Sequence, residues 1–97
     1  MQTHKIPDRP WSRLAADMLT LQSKDYIVLV DYYSDYDEVS PQKQTTSSAI
    51  IKFMKVQFSR HGIPSVLVSN NGPQFTSNEF AEFGKQWEFQ HDTFLQH

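Results

Sequence analysis

The sequence predicts an α/β domain, a mixed five-stranded sheet flanked by helices. Three observations predict it. Period-two alternation fills three runs in the first half, Leu14 to Leu21, Tyr26 to Tyr33 and Tyr36 to Ser40, with brief polar turns between them. From Thr46 the apolar residues recur at helical spacing instead. Beyond that helix the order strand, helix, strand follows, with Ser65 to Ser69 and Phe89 to Phe94 as the strands. Short turns make the first three strands an antiparallel meander, and helical crossovers add the last two in parallel.

Met1 to Ser12 reads as an arm, since Pro7 and Pro10 both oppose helix, and Trp11 is its anchor on the body. In the first strand Asp17, Leu19 and Leu21 share one face, while Ala16, Met18 and Thr20 share the other. Gln22 to Asp25 is a turn. Tyr26 to Tyr33 carries aliphatic and aromatic residues on both faces, which predicts a strand covered on both sides. Ser34 and Asp35 form the second turn. In the helix from Thr46 to His61, Ile50, Phe53, Met54, Gln57 and Phe58 form the inner stripe, with Lys52, Lys55 and Ser59 opposite. Thr45, Thr46 and Ser47 offer N-caps, Gly62 and Pro64 stop the helix, and Arg60 and His61 suit the negative end of its dipole. Asn70 to Pro73 is a tight loop. Thr76 to Glu79 reads as a capping box, and the helix behind it aligns Phe80, Phe83 and Trp87.

With 97 residues the chain forms one domain. Aromatic residues, 13% of the total, supply burial that a 38% hydrophobic content would otherwise leave thin. Without cysteine there is neither a disulfide nor a cysteine-based zinc site. The longest aliphatic run, Ile27 to Val30, is too short to span a membrane, and no signal peptide is evident, so a soluble intracellular domain is expected. Nine Lys and Arg against eleven Asp and Glu leave a net charge of −2, which argues against a simple DNA-binding domain. The four histidines are scattered and form no metal cluster. Asp31 is expected to bond a neighbouring turn, and the Lys52 and Lys55 face to be solvated.

Several segments resemble integrase catalytic cores of retroviruses and gypsy-type retrotransposons. They are Ile6-Pro7-Asp8-Arg9-Pro10-Trp11, Asp17 on the first strand, and Tyr26 to Ser34. The most specific are Arg60-His61-Gly62-Ile63-Pro64 and Ser69-Asn70-Asn71-Gly72-Pro73-Gln74-Phe75. The likeness runs from about residue 6 to residue 93 and implies an RNase H-like fold with strand order 3-2-1-4-5, ending here after the fifth strand. On this reading residues 1–12 are the arm and 13–97 a partial catalytic core. The family's activity is DNA strand transfer. Three carboxylates hold two Mg²⁺ or Mn²⁺ ions, which activate the attacking oxygen and stabilise the leaving one.

By that resemblance Asp17 is the first carboxylate. Asn70 stands where the family has the second, as Asp. The third, a Glu roughly 35 residues further on, would fall beyond His97. Two divalent ions carry four positive charges, and one carboxylate does not balance them. The resemblance therefore implies a catalytically silent core with weak metal binding at Asp17, if any. Asp35 stands where the family commonly has Arg, and Asp37 where it has an aliphatic residue. A nuclear location, DNA as partner and homo-oligomerisation follow from the resemblance alone. The competing reading is a non-catalytic interaction or dimerisation module that keeps the fold.

Overall fold

The computed structural model describes residues 11–34 and 37–94. The arm up to Pro10, Asp35, Tyr36 (where the third strand was expected to begin) and the last three residues lie outside them. Five strands and three helices follow in the order β1 (Arg13–Leu21), β2 (Lys24–Asp31), β3 (Asp37–Gln42), α1 (Ser47–His61), β4 (Val66–Ser69), α2 (Pro73–Thr76), α3 (Asn78–Trp87) and β5 (Gln90–Thr93). The sheet order is β3-β2-β1-β4-β5. The first three strands are antiparallel, and β4 and β5 add in parallel to β1 and to each other. The expected RNase H-like mixed sheet is what forms.

The first turn is tighter than the sequence suggested. Only Gln22 and Ser23 separate β1 from β2, and both have positive φ, 51° and 65°. That geometry matches the right-handed twist of the paired strands. The second strand accordingly ends at Asp31, leaving Tyr32 and Tyr33 about half exposed.

Alternation divides the sheet into two unlike faces. Leu14 and Ala16 of β1, Ile27 and Leu29 of β2, and Leu67 of β4 point into the core. Ile50, Met54 and Phe58 of α1 and Phe80 and Phe83 of α3 cover them, with Phe75 of α2 and Phe89 beside them. Phe58, Phe83 and Phe89 lie with ring centroids 5.1–5.8 Å apart, two of the contacts edge-on, as aromatic quadrupoles prefer. On the other face Tyr26, Val28 and Val30 are only half-buried, and Leu19 and Val39 are exposed. The expectation that β2 is covered on both sides thus fails among the described residues, because α1 and α3 pack on one side together.

Trp11 does anchor the start of the body. It is buried, its indole N–H donates to the Gly62 carbonyl at 2.6 Å, and its ring lies 4.4 Å from that of His61. Asp31 is the structural carboxylate expected. Though almost wholly buried, it accepts hydrogen bonds from the Trp11 N–H, the Tyr33 N–H and the Ser34 hydroxyl. Three donors compensate the lost hydration of that charge.

Thr46 caps α1 by accepting from the Ala49 N–H. Gly62 closes it with φ 102°, in the region that favours glycine. The second cap differs from the expected box. Ser77, not Thr76, is the N-cap of α3 and accepts from the Phe80 N–H, so Glu79 sits one position too early to reach back. Thr76 instead ends α2, a single turn that was not foreseen.

Candidate functional site

Parallel pairing of β1 with β4 brings the site together. The register sets Ala16 against Ser69, so the residues that follow stand side by side, Asp17 midway along β1 and Asn70 just past the end of β4. Their side chains meet, with the Asn70 amide nitrogen donating to Asp17 Oδ1 at 3.0 Å. The juxtaposition implied by the two motifs is therefore present. Asp17 is exposed, because it belongs to the sheet face that carries no helix among the described residues.

The loop determines which way Asn70 turns. Its side-chain oxygen accepts the Gly72 N–H at 3.0 Å. A backbone N–H can only donate, so the oxygen must face Gly72 and the NH₂ must face Asp17. Gly72 leaves room for this approach. A Cβ there would come within 2.7 Å of Gln74 Oε1 and 3.1 Å of Asn70 Oδ1. Asp17 Oδ1 also accepts the Met18 N–H at 2.9 Å. Carboxylate and amide thus satisfy one another through a neutral-to-anion hydrogen bond.

Beneath the loop lies a second polar chain that sequence reading missed. The buried Ser69 hydroxyl donates to the Asn70 carbonyl at 2.9 Å. Its oxygen is 2.7 Å from His91 Nε2. The hydroxyl proton is already engaged, so Nε2 is the donor, which fixes the imidazole tautomer. The His91 ring packs 4.9 Å from Phe80. Burial holds its pKa below the ordinary histidine value, while Asp92 pulls in the opposite direction. The available signal was the alternation in β5, which puts His91 on the same face as buried Phe89.

The donor set does not fit a pair of divalent ions. It offers one carboxylate and an amide whose oxygen is committed to the backbone. Asp37, the other unusual acid, is exposed at the start of β3 and belongs to the far side of the sheet order.

A 3-2-1-4-5 mixed sheet with a polar pair where the middle of β1 passes the carboxyl end of β4 defines an RNase H-like α/β domain. The integrase core domain profile matches residues 7–94, and the chain belongs to that family. It is 32% identical over 89 residues to an uncharacterized protein of Caenorhabditis elegans, covering 91% of this chain and 7% of that protein. It is 40% identical over 55 residues to the Gag-Pol polyprotein of feline leukemia virus, covering 56% of this chain and 3% of the polyprotein. Among solved structures, the HTLV-2 integrase catalytic core in complex with magnesium, in its dimeric form, superposes with a TM-score of 0.80 at 30% identity. That match covers 87% of this chain and 60% of the HTLV-2 chain. The BIV integrase core, at 18% identity and a TM-score of 0.81, shares the fold. The chain thus spans under a tenth of these two curated relatives and about 60% of the HTLV-2 core.

Proposed function

We propose that this chain is part of a DNA strand-transfer domain whose metal site has been neutralised. The observation that carries this is the Asn70–Asp17 hydrogen bond, which occupies the place where the family sets two carboxylates. The HTLV-2 core binds magnesium. Here an amide N–H confronts the carboxylate, and a cation entering that gap would meet a donor rather than a second anionic ligand. The Ser69, Gly72 and His91 contacts hold the geometry of the loop, but they supply no charge to replace the missing one. DNA as the partner and a nuclear location are inferred from kinship with viral and retrotransposon integrases. A retained fold without chemistry also agrees with an association module. The half-open sheet face and the dimeric state of the HTLV-2 core favour that second reading.

The test is a strand-transfer and end-processing assay on labelled DNA with Mg²⁺ and with Mn²⁺. The expected outcome is no product from this chain, nor from its Asn70→Asp variant, because the third carboxylate is not among these 97 residues. Metal-dependent nicking or joining that disappears in Asp17→Ala would overturn the proposal.

A further inference from the structure

The loop that orients Asn70 also contains a reactive pair of residues. Asn71 is exposed in the segment between β4 and α2, and Gly72 follows it. The side-chain amide of an asparagine is open to attack by the backbone nitrogen of the next residue. Glycine hinders that attack least, because no Cβ shields its nitrogen. The Gly72 N–H, however, donates to Asn70 Oδ1 at 3.0 Å. Its carbonyl meanwhile accepts from the Phe75 and Thr76 N–H groups of α2. We propose that Asn71 is a site of spontaneous deamidation, and that Asn70 sets its rate by holding the Gly72 nitrogen.

The chemistry needs only water, and neither DNA nor metal. Solvent base removes the Gly72 amide proton, and the nitrogen attacks Asn71 Cγ. The new N–Cγ bond closes a succinimide ring. The Cγ–Nδ2 bond breaks, and that nitrogen leaves as ammonia after taking a proton from water. A water molecule then opens the ring. Opening at Cγ gives aspartate. Opening at the main-chain carbonyl gives isoaspartate, whose backbone runs through Cγ and is longer by a methylene. Amide and water have become carboxylate and ammonium, with no change of oxidation state.

Local structure singles out Asn71 among the three asparagines of the sequence. Asn78 opens α3, where the helical backbone carries the next nitrogen away from the side-chain carbon. Asn70 is followed by a residue with a side chain, and its own amide is tied at both ends, to Gly72 and to Asp17. The Asn70 contact also restrains its neighbour. Deprotonating the Gly72 N–H gives up that hydrogen bond and leaves an anion facing the amide oxygen. Either product sets a new negative charge next to the Asp17–Asn70 pair. Isoaspartate also moves the Gly72 nitrogen away from Asn70, which releases the oxygen that the loop holds away from Asp17.

The test holds the purified protein in mildly alkaline buffer at physiological temperature. Samples are peptide-mapped by mass spectrometry, and isoaspartate is counted with an isoaspartyl methyltransferase. Aspartate and isoaspartate should accumulate at Asn71 and not at Asn70 or Asn78. Asn71→Gln should stop the reaction, since the larger ring closes poorly. Asn70→Ala should speed it by about fivefold, the equivalent of about 1 kcal/mol for a hydrogen bond of this kind. Asn70→Asp keeps an acceptor for the Gly72 N–H and should react at the parent's rate, although it sets a like charge against Asp17. In urea the parent and Asn70→Ala should react alike, because the contact is gone from both. An Asn71 that stays intact in the folded protein long after the unfolded chain has converted would overturn the proposal. So would equal rates for the folded parent and Asn70→Ala, an Asn70→Asp variant as fast as Asn70→Ala, or earlier conversion at Asn70 or Asn78.

Discussion

At the level of single residues, position 70 decides the chemistry. The Gly72 N–H would hold one oxygen of an aspartate there as it holds the asparagine oxygen, leaving the other about 3.0 Å from Asp17 Oδ1. Two carboxylates so close repel by on the order of 1 kcal/mol when solvent screens them. Asn70→Asp should therefore lower Tm in chelator and regain it with millimolar Mg²⁺, whereas the parent chain should not respond to Mg²⁺. Thermal melts with and without the ion check this, and a variant indifferent to both changes would separate the corner from metal binding. His91 supplies a second prediction. Its folded pKa lies below the unfolded value, so the unfolded chain takes up a proton first as pH falls. Stability from the neutral imidazole is complete above about pH 6.5 and declines below it, toward the depressed folded value. His91→Gln should flatten that part of the Tm profile, and a profile that keeps its slope in the variant would remove His91 as its source.

Local backbone conformation governs the elements. The β1–β2 hairpin places two side-chain-bearing residues at positive φ, where Asn and Gly are favoured. Replacing Gln22-Ser23 by Asn-Gly should stabilise the fold by about 1 kcal/mol, read from urea melts with an unchanged slope. A loss of stability would mean that Gln22 or Ser23 makes contacts worth more than the strain. The helix starts are coupled in a way no local pattern announces. Ser47 at the start of α1 donates to the Gln74 carbonyl of α2 and lies 2.6 Å from the Ser77 hydroxyl that caps α3. Ser77 was within the foreseen capping segment, but its use as N-cap, one residue late, follows from Thr76 being taken up in α2, where its hydroxyl bonds the Gly72 carbonyl.

For the whole molecule, the two sheet faces predict behaviour in solution. The stripe of Phe80 and Phe83 and the inner face of α1 are buried within the chain, while Trp87 is half-buried. The surface left over is the opposite sheet face, with Leu19, Leu21 and Val39 between 44% and 56% exposed. Contiguous apolar surface of this kind ends in an interface. Sedimentation should show a dimer or larger species at micromolar concentration, and Leu19→Lys with Leu21→Lys should shift it toward monomer. A cooperatively folded monomer at high concentration would count against it.

The sequence by itself determined the order of the five strands and the two longer helices, because side-chain period is a local property of the chain, and the single turn of α2 is too short to show one. It identified Asp17 and Asn70, because each lies in a segment recognisable from its neighbours. It also showed that Asp31 is structural. The tertiary structure decided what depends on through-space neighbours. Asn70 turns its NH₂ toward Asp17 because a backbone donor two residues away claims its oxygen. Ser69 and His91 meet because parallel β4 and β5 bring residues 22 apart in sequence onto one face. The strand read as covered on both sides is covered on one, because whether a face is buried depends on where the helices dock, and apolar composition is the same either way.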